Sequence, residues 1–128
     1  MRNLEAHELR LGNYVTSFKN IEMPLSKLAL VGIMLGEINY QPIPLTEEWL
    51  LKFGFEKSDN EFYTEIFKGD NKSDYYLCIR INDNLSDLVI CERVDESNYC
   101  SLIVPKYIQH VHQLQNLYFT LTNEELTL

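Results

Sequence analysis

The chain has 128 residues, enough for one domain with a real core and too few for two ordinary ones. Against 11 basic residues stand 19 acidic ones, and the resulting net charge of −8 repels phosphate backbones and anionic membranes, which disfavours nucleic acid as a partner. A hydrophobic fraction of 45% excludes a disordered chain, and the longest apolar run, Leu28 to Leu35, is interrupted by Gly32 and too short to cross a bilayer.

Residues 1–8 are polar and are expected at an edge. Leu9 to Val15 reads as a short strand broken by a turn or bulge at Gly12-Asn13. Ile21 to Pro24 and Leu28 to Leu35 read as further strands. The periodicity of residues 25–35 also fits a helix, but Gly32, Gly36 and the bounding prolines favour a strand. Residues 9–41 are therefore expected to form a small twisted sheet or partial barrel.

Residues 46–53 carry the sharpest local signal. Thr46 is placed to cap a helix, Glu47 and Glu48 occupy its first turn, and Leu45 with Leu50 forms a hydrophobic staple. Gly54 supplies a left-handed end, which lets Phe55 fold back toward Leu50. Beyond Phe55, four strands are expected at Glu61 to Phe67, Tyr75 to Ile81, Asp87 to Val94 and Tyr99 to Val104, joined as an antiparallel meander over residues 61–104. Leu77, Ile79 and Ile81 share one face of their strand, as do Leu88, Ile90 and Val94 of the next.

The last quarter is expected as one amphipathic helix over residues 105–122, opened by Pro105. Tyr107, Val111, Leu114, Tyr118 and Leu121 recur at helical spacing, so this face must lie on the sheet. The fold class is α+β, with a single domain over residues 1–128. Three cysteines, Cys78, Cys91 and Cys100, lie in strand-like segments with no secretory signal before them, which points to a reduced, cytoplasmic protein.

Three blocks together, ELRLGNYV at 8–15, PIPLTEEWLLKFGFEK at 42–57 and VHQLQNLYFTLTNEEL at 111–126, resemble a family of small uncharacterised proteins of Bacteroides-type bacteria and of their phages and prophages. The resemblance is weakest between Thr16 and Tyr40. Where the family pattern has glycine after the final helix, this chain has Asn123, the next-best residue for a left-handed cap. The resemblance implies a bacterial or phage protein of the cytoplasm and carries over no activity and no catalytic residue.

No chemistry-bearing motif stands out. His110 and His112 form an H-x-H pair, but on a helix two residues so spaced point about 200° apart and share no ion. His7 and the cysteines show no ligand spacing, so neither metal nor cofactor is expected. There is no nucleophile elbow and no phosphate loop, and the paired acids Glu47-Glu48 and Asp83/Asp87 suit a helix start and a turn. An enzyme is not expected.

Two features are candidates for binding. Gln109, Gln113 and Asn116, with Thr120 in line and His112 beside the apolar arc, make a polar helix face without permanent charge. Such amides either bond the chain's own N-terminal sheet or meet another protein or a second copy. On the strands, Tyr76, Arg80 and Arg93 either grip a planar or anionic ligand or form ordinary cross-strand ion pairs with Asp87, Glu92 and Asp95. The expected function is that of a non-catalytic binding or assembly protein of phage or mobile-element type, acting through protein–protein contacts. The alternative is a small-molecule binder that sequesters a nucleotide-like signal in host–phage conflict.

Overall fold

A computed structural model of the chain describes residues 3–17, 19–58, 61–68, 74–82, 85–93, 99–104, 108–126 and 128. It divides into two compact units, one of Met1–Pro44 with His110–Leu117, the other of Leu45–Gln109 with Tyr118–Leu128. Each contains an antiparallel sheet, one of three strands and one of five, and together with the helices they make the fold α+β without a closed barrel.

The first unit begins with a 3-10 turn, Ala6–Glu8, and continues through strands β1 (Tyr14–Thr16) and β2 (Glu22–Pro24), helix α1 (Lys27–Met34) and strand β3 (Gln41–Pro42). β1 is the central strand, paired with β2 through Val15–Met23 and with β3 through Val15–Pro42. Pro42 suits this place, since an edge strand has one side without a ladder and can spare an N–H. The N-terminal residues are less peripheral than expected. Leu4 is buried, its N–H donates to Tyr40 O at 2.9 Å, and it joins Leu9, Val15, Leu25, Ala29 and Tyr40 in one apolar cluster.

Residues 28–34 are helical and Leu35 is the C-cap, where a strand was expected over 28–35. Ser26 decides the matter, because its hydroxyl accepts from the Ala29 N–H at 3.1 Å and caps the first turn. At the other end Gly36 has φ +73°, and the Glu37 N–H bonds back to Gly32 O while Gly36 N–H bonds to Ile33 O. That double bond is a Schellman end, so the glycine that looked like a strand boundary is a helix stop. Gly32 sits inside α1 because a Cβ there would come within 2.6 Å of the Ile38 side chain. The segment Leu9 to Val15 is likewise strand only from Tyr14 onward; before it the chain turns through Gly12 at φ +86°.

The second unit opens with α2 (Glu47–Lys52), and every device read from its sequence is present. Trp49 N–H donates to Thr46 Oγ1 at 3.4 Å. Leu45, Leu50 and Phe55 are buried. Gly54 has φ +88°, with Gly54 N–H bonded to Leu51 O and Phe55 N–H to Leu50 O, a second Schellman end. Five strands follow in sequential order: β4 (Glu56–Ser58), β5 (Glu61–Lys68), β6 (Asp74–Asn82), β7 (Leu85–Arg93) and β8 (Tyr99–Val104). The meander is therefore as expected, with β4 added at its edge. Leu77 and Ile79 are fully buried, and register sets Ile90 and Leu88 opposite them; the side chain of Ile81 and the whole of Val94 lie outside the described residues. A bulge between Glu65 and Phe67 interrupts the β5–β6 register.

Helix α3 runs Val111–Thr122, shorter than the expected 105–122. Residues 105–107 lie outside those described, but His110 is extended and makes an antiparallel bridge to Pro44, with Val111 N–H donating to Ile43 O at 2.9 Å. Pairing with the chain before α2 thus holds off the helix start. The greasy side is down, since Val111 and Leu114 are fully buried and Tyr118 partly so, and at Gln115 the helix meets the start of β1 in its own unit. Asn123, at φ +60°, donates its N–H to Phe119 O at 2.7 Å and ends the helix in the left-handed conformation expected of it. Among the described residues no helix is long and apolar enough to cross a membrane.

Because a Cβ at Gly54 would meet nothing within 4 Å, Gly54→Ala tests backbone strain alone. It should lower stability by about 1–2 kcal/mol without changing the fold, read from the urea midpoint at constant m-value.

Candidate functional site

The polar groups of α3 gather on the segment that leads from the 3-10 turn into β1. Main-chain bonds take up the N–H groups of Glu8, Leu9, Gly12 and Asn13, while the Glu8 and Gly12 carbonyls and the Tyr14 N–H need other partners. Two amides one residue apart supply them. Gln115, buried, accepts from Tyr14 N–H at 2.8 Å and donates to Gly12 O at 3.1 Å. Asn116 donates to Glu8 O at 3.0 Å, while its Oδ1 accepts from Asn13 Nδ2 at 2.9 Å and from Arg10 at 3.0 Å. Asn13 closes the set, taking the Arg10 N–H on its own Oδ1 at 2.6 Å. An amide carries donor and acceptor on one planar group, so it can replace a strand on both edges of a turn.

One turn before Asn116, His112 is 1% exposed and its Nε2 lies 3.4 Å from Glu8 Oε1. His110 stacks on it, ring centroids 5.8 Å apart and planes tilted 15°. The helical argument that separated these two imidazoles fails because His110 stands in the extended chain before α3. On the 3-10 turn itself, His7 Nδ1 lies 3.1 Å from Glu5 Oε2, and ligand atoms of Glu5, His7 and Glu8 are all within 4.8 Å of one another. All three histidines of the chain therefore belong to one unit, and Glu8 is the residue shared between the turn and the helix.

The sequence-derived candidates fall into three groups. Asn116 and His112 join the N-terminal segment, the internal role weighed for the stripe. Gln113 accepts from the His110 N–H at 3.0 Å, half of a capping box, and Gln109 is exposed with its carbonyl bonded to Leu45 N–H. In the meander, Arg80 is ion-paired with Glu61 on the neighbouring strand β5, and Tyr76 is partly buried and edge-on to Tyr63 at 6.1 Å. Arg93 stands in register with Asp74 and Tyr99, and its side chain is outside the described residues. Tyr76 and Arg80 both meet residues of β5. Further along α3, burial raises the Tyr118 phenol above its ordinary range, Glu124 adds to this and the Thr122 hydrogen bond opposes it.

The sequence does not single out Gln115, Arg10, Glu8 or Glu5; it marks Asn13 only as a turn residue and His7 only as lacking ligand spacing. Gln115 did leave a trace, as an uncharged polar residue among apolar ones at helical spacing. No family model matches the chain, and no curated protein or solved structure is similar to it.

Removing the Asn116 amide leaves Glu8 O, Asn13 and Arg10 without a shared partner. Asn116→Ala should therefore destabilise the chain by about 2–4 kcal/mol, more than one ordinary hydrogen bond, and Gln115→Leu by a similar amount. Asn116→Asp, which keeps the acceptor and loses the donor, should fall between Asn116→Ala and wild type in thermal melts.

Proposed function

We propose that the chain is a non-catalytic assembly protein of phage or mobile-element type that pairs with a second copy of itself through the outer face of α1. The observation that carries this is the exposure of an apolar helix face: Leu28 is 81% exposed, Met34 68%, Leu35 67% and Val31 43%. A helix that is apolar all round belongs inside a core, and α1 buries only Ala29 and Gly32, with Leu30 and Ile33 partly covered. Lys27, in the first turn, is the one charged residue of α1 and leaves the face little with which to choose a partner by charge complementarity. Leu28, Val31 and Leu35 follow one another at steps of three and four, the spacing by which one helix meets another. About a twofold axis the same four side chains would cover their own copies, the simplest way for a single apolar strip to leave water.

The phage or mobile-element origin rests on the three resembling blocks, and the absence of catalysis on the lack of any catalytic motif in the sequence. Two chains of net charge −8 repel one another, so apolar contact must supply the attraction and salt should strengthen it. Light scattering on a sizing column should give twice the monomer mass, with the dimer fraction rising between low and high ionic strength. The double variant Leu28→Glu, Val31→Lys should be monomeric, with a stability within about 0.5 kcal/mol of wild type diluted to where it too is monomeric. A wild-type chain that remains monomeric at every concentration and salt overturns the proposal.

A further inference from the structure

We infer that the stacked pair His110 and His112, together with Glu8, is an acid-opened latch that ties the chain before α3 to Ile43 and Pro44. It is separate from the apolar face of α1 and does not depend on it. His112 is 1% exposed, and its Nε2 lies 3.4 Å from Glu8 Oε1. His110, half-buried, lies nearly flat on it with ring centroids 5.8 Å apart. Imidazole is the side chain that ordinarily titrates between about pH 5 and 8, so two protons are offered to this pair within one narrow range.

The surrounding charges decide how many of those protons it holds. From the 3-10 turn comes the Glu8 carboxylate, with the mostly exposed Glu5 and His7 within 4.8 Å of it. Along α3 the neighbours Gln113, Gln115 and Asn116 are uncharged, and Arg10 is bonded to Asn116 at 3.0 Å. Ile43 and Pro44 carry no ionisable group, and of β1 only Tyr14 does. The first turn of α3 is the positive end of the helix dipole and disfavours a cation at His112. Glu8 balances one imidazolium. A second, stacked on the first where water is largely excluded, is repelled. His110 takes that second proton by leaving the stack. The same residue carries the tertiary contact that delays the helix, through its bridge to Pro44 and the adjoining bond from Val111 N–H to Ile43 O at 2.9 Å. Opening therefore binds a proton, and it becomes more frequent as the pH falls below about 6.5, where a solvated imidazole charges.

Amide hydrogen exchange on the full-length chain tests the latch. Between pH 6.5 and 5 the protection factor of the Val111 N–H should fall about tenfold, the coupling of one proton to opening. That of the Leu25 N–H, bonded to Asn13 O at 2.8 Å in the same unit, should fall less than about twofold and so reports that the unit as a whole stays closed. His110→Phe keeps a flat ring on His112 and cannot titrate, while His110→Asn keeps a polar side chain without a ring; each should hold Val111 protection level across this range. His7→Ala, which removes an exposed histidine, should leave the fall unchanged. No fall at Val111, an equal fall at Leu25, a fall that persists in the His110 variants, or its loss in His7→Ala each overturns the inference.

Discussion

Two adjacent amides on α3 hold the N-terminal unit together. The segment from Glu8 to Tyr14 leaves a 3-10 turn, passes through a left-handed glycine and enters β1, and main-chain bonds take up its Glu8, Leu9, Gly12 and Asn13 N–H groups but only part of the rest. Gln115 and Asn116 add three bonds from outside, to Tyr14 N–H and the Gly12 and Glu8 carbonyls, and two more to Asn13 and Arg10. A carboxylate could only accept and a lysine only donate; the amide does both at no cost in charge. Because the bonds fall on either side of Gly12, they also set the rotation of α3 about its axis. Buried polar contacts of this kind contribute less net stability than apolar packing but admit fewer alternative arrangements.

Short helices need explicit ends, and α1, α2 and α3 each have one. α1, α2 and α3 each stop at a residue in the left-handed conformation, Gly36, Gly54 and Asn123. The first two complete a pair of bonds back into the last turn, and the third a single one. α2 is only six residues long and would not form unaided, so its caps and buried Leu50 carry it. α1 has equally good ends and poorer burial. Its helicity is locally specified, while its outer side keeps the apolar residues that would suit a core.

What could be read in advance follows the range of the interactions. α2 was legible to the residue because Thr46, Leu45 and Gly54 act within one turn of it. The meander was legible because alternation along β6 reports a buried face directly. Residues 28–35 read as a strand because Gly32 and Gly36 resemble strand punctuation, whereas the single Ser26 hydroxyl that caps the helix leaves a weaker mark. The start of α3 was misplaced for a different reason: Pro105 is a good first helical residue, but the pairing of His110 with Pro44 is tertiary and leaves no local mark. The amide stripe was recognised as polar and uncharged. Its partner Gln115 was hidden on the apolar arc, since periodicity sorts residues by water affinity and cannot show which backbone groups lack a ladder. Glu8 and His112 stand over a hundred positions apart, beyond any spacing rule.

The N-terminal unit is discontinuous, and this affects the order in which the chain can fold. Asn13 emerges during synthesis 103 positions before Asn116, and Tyr14 emerges 101 positions before Gln115. At translation rates of about 5–20 residues per second, that delay is roughly 5–20 s. During that time the nascent first unit has its apolar cluster but not the helix that completes it, whereas the residues of the five-stranded sheet can pair as they appear. A protein laid out this way settles its beginning last.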